Sequence, residues 1–300
     1  MNLRALLAAG FTIAIWASLA LLTDRVSHLP PVLASGIALM VGGAVGAWQP
    51  QAWQAPRATY VLGVAGLLGY HALLFAAFGL APAVEANLLQ YLWPLLIVVL
   101  SPLFLPGNRL RVPHIVGALL GFGGAALIIG ADGVHLDARY LSGYACAVAA
   151  ALTWAVYSLG CRRLPPFPTA AIAACCLVAG AIAVTWHLAR HGWPSPMLAG
   201  GDLGLLVLLG LGPMGVAFLT WDIALKHGDP RAIGALSYLT PLLSTLLLTL
   251  CNGRALTPQS LGAMCAIFAG ALLGNADAIR GLWHRGDGLR PTSPDGRSPR

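Results

Sequence analysis

The chain has 300 residues, of which 58% are hydrophobic and 9% charged, with a formal net charge of +7. Soluble domains carry about 25% charged residues. The composition, with a mean hydropathy of +0.78, therefore excludes disorder, a coiled coil, a nucleic-acid-binding domain and nearly every soluble enzyme fold. What remains is an all-α polytopic membrane protein, because a bilayer core about 30 Å thick needs roughly 20 apolar residues per helix.

Stretches of that length, uncharged apart from Glu85 and Asp222, fall in chain order at about 5–22, 31–48, 59–80, 85–104, 113–130, 140–160, 169–188, 204–225, 232–250 and 257–276. They predict ten spans, an even number that puts both termini on one side. If that side is cytoplasmic, the inner segments and tail hold thirteen of the seventeen Arg and Lys residues, and the outer loops hold Arg25, Arg139, Arg190 and Arg254. The positive-inside rule then predicts cytoplasmic termini. The net charge reflects topology and lipid headgroup contact, with no nucleic-acid partner. Arginine outnumbers lysine sixteen to one, a usage that suits a GC-rich bacterial genome and hence an inner membrane. Residues 279–300, rich in Gly, Pro, Ser and Arg, read as a disordered basic cytoplasmic tail. The six cysteines (Cys146, Cys161, Cys175, Cys176, Cys251, Cys265) lack metal-ligand spacing and read as small buried hydrophobes, so no metal or cofactor is expected.

The chain repeats itself. Tyr91-Leu92-Trp93-Pro94-Leu95-Leu96 of the fourth stretch returns as Tyr238-Leu239-Thr240-Pro241-Leu242-Leu243 of the ninth, displaced by 147 residues. Pro113, Gly117 and Ala118 return as Pro258, Gly262 and Ala263, and Trp16-Ala17 as Trp154-Ala155. Two halves of five spans, 1–135 and 136–278, follow from these pairings. Five is odd, so the second half must enter the membrane inverted, an architecture of transporters with the site at the repeat interface.

At 100° per residue, Asn87, Gln90, Tyr91, Trp93, Pro94 and Ser101 share one arc of the fourth stretch, opposite Leu88, Leu89, Leu92, Leu95 and Leu96. The ninth gathers Ser237, Tyr238, Thr240, Pro241, Ser244, Thr245 and Thr249 opposite its leucines, with Leu248 as the exception. Polar arcs face the bundle interior or a cavity and leucine arcs face lipid. Pro94 and Pro241 each lack the N–H that would bond back to Gln90 and Ser237. The freed carbonyl is open either to a substrate ammonium or water, or to a neighbouring side chain that stabilises a kink. His71, beside Tyr70 near the centre of the third stretch, and Asp222 in the eighth are ionisable groups inside a span, which makes them proton-coupling candidates. Asp222 lies four residues before Lys226, a spacing for an ion pair. Trp16, Tyr157, Phe218 and Trp221 add aromatic surface suited to a small amphipathic solute.

These residues resemble a known family. The two five-span halves, Trp154-Ala155 with Tyr157, and the Pro94 and Pro241 helices look like the EamA-type exporters of the drug/metabolite transporter superfamily. Tyr70-His71, Glu85 and Tyr91-Leu92-Trp93-Pro94 resemble its YddG-like aromatic amino-acid exporter branch, over about residues 5–277. The resemblance implies ten helices around a central cavity that export amino acids or related metabolites, with Tyr70, His71, Tyr91, Trp93 and Trp154 in the cavity. It implies an Asn where this chain has Asp222. The expected substrate-binding set is Tyr70, His71, Gln90, Tyr91, Trp93, Trp154, Trp221 and Tyr238, acting in a monomer. A membrane-embedded enzyme would need clustered acids, histidines or a nucleophile–base pair. No such motif stands in the sequence, and no Walker-type loop does. An exporter of other metabolites or drugs on the same fold is the nearer alternative.

Overall fold

The computed structural model describes residues 2–130, 133–193, 200–252 and 258–276. Arg254 and the 279–300 tail lie outside the described residues, as do the side chains of Leu248, Thr249 and Cys251. Every regular element among the described residues is helical. They run α1 (Leu3–Ala17), α2 (Leu19–Arg25), α3 (Pro31–Ala47), α4 (Arg57–Leu80), α5 (Ala83–Gln90), α6 (Trp93–Phe104) and α7 (Val112–Ile129). Then follow α8 (Leu141–Arg163), α9 (Ala170–His191), α10 (Gly200–Leu211), α11 (Ala217–His227), α12 (Pro230–Ser237), α13 (Leu239–Asn252) and α14 (Pro258–Gly274).

Prolines mark many of the starts. Pro31, Pro230 and Pro258 open α3, α12 and α14, and Pro113 sits in the first turn of α7. There the missing N–H has no intrahelical partner to lose. Among the described residues seven helical stretches are long and apolar enough to cross a membrane: 3–23, 57–80, 83–104, 112–129, 138–163, 170–191 and 200–227. α3 and α14 are apolar but one residue shorter than the shortest of these.

Three stretches that the sequence reads as single helices are interrupted. The fourth breaks between Gln90 and Trp93, and the ninth at Tyr238. The eighth widens into a π turn at Gly212–Val216 around Pro213, between α10 and α11. In each a proline has removed a ladder hydrogen bond. The leucine arcs also differ from expectation: Leu89, Leu92, Leu95 and Leu96 are half-buried and pack on the core, as do Leu239 and Leu242. On α6 the side chains left exposed are Val99 and Leu103.

Helices approach closely where glycine permits it. α3 lies on α9, and a Cβ at Gly43 or Gly180 would collide with the partner's backbone. α7 lies on α14 in the same way through Gly117 and Gly270. α4 packs on α8, and α1 on α11. Small residues let backbones meet in a membrane, where helix association depends on close van der Waals packing.

Candidate functional site

Inside this bundle lies a cavity of about 530 Å³. Its walls come from α1–α5, the start of α6, α8, the Pro213 turn, α11 and α13. It reaches the end of the bundle where Val26–Pro31 and Phe78–Ala83 lie. Among the described lining residues none is Asp, Glu, Lys or Arg.

The floor is aromatic. Trp16 and Trp154, the repeated tryptophans, meet edge to face at 5.8 Å between centroids. Trp93 sits 6.0 Å from Trp16, and Tyr70 and Phe218 stand 5.1 and 5.4 Å from Trp154. Edge-to-face and tilted pairs suit the ring quadrupoles. The Trp16 indole N–H donates to the Pro213 carbonyl at 3.1 Å, so the π turn anchors α1.

Six of the eight expected binding residues line the cavity: Tyr70, His71, Gln90, Tyr91, Trp93 and Trp154. Gln90 Nε2 lies 2.7 Å from the Tyr70 hydroxyl, which ties α5 to α4. His71 Nδ1 lies 2.7 Å from the Leu67 carbonyl of its own helix. A carbonyl only accepts, so Nδ1 carries a proton.

Trp221 and Tyr238 stand behind the wall. Trp221 is buried beneath Trp16 and Trp93 and donates its N–H to Ser158 Oγ at 3.1 Å. Tyr238 is fully buried against Gly121, where a Cβ would collide with its ring. Its hydroxyl accepts from Leu95 N–H at 3.1 Å and donates to the Tyr91 carbonyl at 3.4 Å. The break above Pro94 is therefore bridged by a side chain from the other half, through the carbonyl of Tyr91 and not the Gln90 carbonyl that Pro94 frees.

Asp222 is also outside the cavity, at the opposite end of the bundle. Its Oδ2 lies 2.6 Å from Lys226 Nζ and accepts from Thr169 Oγ1 at 2.7 Å. Lys226 donates to the Phe167 carbonyl at 2.9 Å and lies over the Phe167 ring. The pair fastens α11 to the segment joining α8 and α9. Two arginines close the same end: Arg163 donates to the Phe104 carbonyl at 2.9 Å, and Arg231 to that of Arg109. Asp229, at the start of α12, is pushed up by burial but pulled further down by Arg231, and lies below its ordinary 3.8. Its contribution is present above that value and fades only as pH falls through the lowered one, so it persists at neutral pH.

Sequence reasoning missed several wall residues. Thr23, Ser27 and Ser35 join the lining from α2–α3, and Met214 from the π turn. Glu85 is buried and accepts from the His135 N–H at 2.9 Å, linking α5 to the segment between the halves.

Helices of membrane-spanning length around a cavity with an aromatic floor, and with no formal charge among its described lining residues, define a polytopic membrane carrier. The EamA-like transporter family matches residues 3–130 and again 141–275, and the chain belongs to that family. It is 42% identical over 271 residues to an aromatic amino acid exporter, YddG, of Ancylobacter novellus, covering 87% of this chain and 93% of that one. A probable terminal-alkyne amino-acid exporter of Streptantibioticus cattleyicolor is 28% identical over 246 residues, covering 81% and 80% of the two chains. One solved crystal structure superposes with a TM-score of 0.87 at 40% identity, over 93% of this chain and 99% of that one.

Proposed function

We propose that this protein is a secondary transporter that exports amino acids, aromatic or otherwise apolar, across the bacterial inner membrane by alternating access. The observation that carries the reading is the cavity: uncharged among its described lining residues, walled by aromatic rings and reaching one end of the bundle. Such a site suits a zwitterion with a large apolar side chain. The printed names of two relatives, both amino-acid exporters, support the same substrate class. The protein performs no chemistry on its cargo.

In this reading ten membrane helices form two inverted five-helix repeats, 1–135 and 136–278, with both termini cytoplasmic. Support comes from the double family match and from the helix pairs. Counting spans, the second pairs with the seventh, the fifth with the tenth, the first with the eighth and the third with the sixth. A two-fold axis maps this set onto itself. Equivalent residues also meet across the interior, Trp16 with Trp154 and Tyr91 with Tyr238. The fastened end carries Arg109, Arg163, Lys226 and Arg231, which supports a cytoplasmic position for it and a periplasmic one for the open end. The chain works as a monomer.

The test is flux of labelled tryptophan, phenylalanine and alanine through proteoliposomes, with recovered solute checked for chemical change. Saturable flux of unaltered aromatic amino acids is expected. Flux no faster than in empty liposomes would refute transport, an altered product would mean an enzyme, and selectivity for unrelated solutes would reassign the cargo.

A further inference from the structure

Buried polar side-chain atoms in this protein almost all have partners, as they should where water is absent. Among the described residues four do not: Thr59 Oγ1, Trp154 Nε1, Thr240 Oγ1 and Asn275 Oδ1. Two of the four, Trp154 and Thr240, belong to side chains that line the cavity, and they are 3% and 6% exposed.

Neither is explained by its local structure. Trp16 and Trp221 both donate their indole N–H, to Pro213 O and Ser158 Oγ. Trp154 is ringed by Trp16, Tyr70, Trp93, Tyr157 and Phe218, and its N–H meets no hydrogen-bond acceptor among the described residues. Helical threonines and serines ordinarily bond to the carbonyl one turn back. Thr12, Thr153, Thr220, Ser237 and Thr245 do so here. Thr240 would need the carbonyl of Leu236, but the chain breaks at Tyr238 between them. The break that Pro241 helps to make leaves this hydroxyl free.

An indole N–H is a donor only, and a threonine hydroxyl can donate as well. The group that satisfies both is an acceptor with more than one oxygen. A carboxylate qualifies, and the described lining holds no Lys or Arg to take it. Resting on the amino-acid reading above, we infer that Trp154 Nε1–H and Thr240 Oγ1–H are donors to the substrate's carboxylate. Thr240 is then a specificity-determining position that separates an amino acid from the corresponding amine. Neither atom touches solvent in the open cavity, so the pair engages as the walls close on the substrate. Donors without water discriminate strongly, because a ligand lacking the acceptor leaves them unpaired.

The test is calorimetric binding of L-tryptophan and tryptamine to the purified full-length protein, its Thr240→Val and Thr240→Ser variants, and Trp154→Phe. The parent should prefer tryptophan by about tenfold or more, the scale of a hydrogen bond to a charged group. Thr240→Val should erase most of that preference by weakening tryptophan alone, and Thr240→Ser should keep it. Trp154→Phe should weaken tryptophan more than tryptamine. A parent that binds both ligands equally overturns the inference without any variant. So does Thr240→Val if it weakens both ligands alike, which marks a structural role, or neither. A parent that binds no amino acid overturns the export reading and this inference together.

Discussion

Tyr238→Phe isolates one hydroxyl. The ring stays in the Gly121 notch, so no cavity forms, but Leu95 loses the acceptor of its N–H at 3.1 Å. The second bond, to the Tyr91 carbonyl at 3.4 Å, is long and contributes little. A buried backbone donor left unpaired costs about 1–3 kcal/mol, while side-chain hydrogen bonds in membrane helices average about 0.6 kcal/mol. We expect a loss of about 1–2 kcal/mol. At roughly 2–4 °C per kcal/mol, the figure for large single chains, the melting temperature in detergent should fall by about 2–8 °C. Two glycines of α7 test the same packing. Gly121→Ala puts a methyl into the Tyr238 ring and should cost about 1–3 kcal/mol. Gly123→Ala, with nothing within 4 Å of the new carbon, should be neutral or stabilising by up to about 1 kcal/mol. The assay is thermal unfolding followed by tryptophan fluorescence. An unchanged melting temperature for Tyr238→Phe, with altered substrate affinity, would refute the argument and put Tyr238 in the cavity.

Lys226→Met should destabilise by roughly 3 kcal/mol, because it leaves Asp222 buried without its cation, and adding Asp222→Asn should restore much of the loss. The same melts check it, and a double variant no better than the single removes the ion pair from the account. Tyr91→Ala and Trp93→Ala should each weaken aromatic substrates by about 0.5–1.5 kcal/mol beyond lost area, or about 2- to 12-fold in Kd. Unchanged affinity in both moves the site elsewhere. Single cysteines at positions 109 and 162 should react with an impermeant reagent only from the cytoplasm, and one at 254 from outside. Labelling of 162 in intact cells would sink the ten-span topology. If transport is proton-coupled, an imposed pH gradient should raise the parent's accumulation ratio, and His71→Gln should abolish the effect more fully than Asp222→Asn. A ratio that ignores the gradient in the parent leaves His71 a hydrogen-bonding wall residue.

Rotation about a helix axis was legible in part, for the polar arcs more than for the leucine arcs, and depth along it was not. The 100° construction places Asn87, Gln90, Tyr91 and Trp93 on one arc, and all four line the cavity, as do Thr240 and Ser244 of the ninth stretch. It also places Phe218, Trp221 and Asp222 on one arc, yet only Phe218 reaches the lining. Asp222 is four residues further on, about 6 Å along the axis, and falls among the contacts of the closed end. Tyr238 escapes for another reason. The helix is interrupted at that residue, so a continuous 3.6-residue period no longer fixes where its side chain points. The π turn is likewise hidden, since Pro213 signals a disturbance without saying which way the chain widens.

The resemblance implies an Asn where this chain has Asp222, and the surroundings of Asp222 show what an acid does there. An acid in the binding cavity would favour cationic cargo. Here its carboxylate oxygen is held by Lys226 and Thr169 at the fastened end, while the described cavity lining stays free of formal charge. The acid and its cation sit one turn apart on α11, so the helix itself brings the pair together, and Thr169 and Phe167 extend the contact to a second element. In the proposed alternating-access cycle, opening this end must separate Lys226 from the Phe167 carbonyl or Asp222 from Thr169, but need not break the ion pair, which travels with α11. The acid therefore bears on the balance between open and closed ends, and substrate charge is left to the neutral donors and acceptors of the wall.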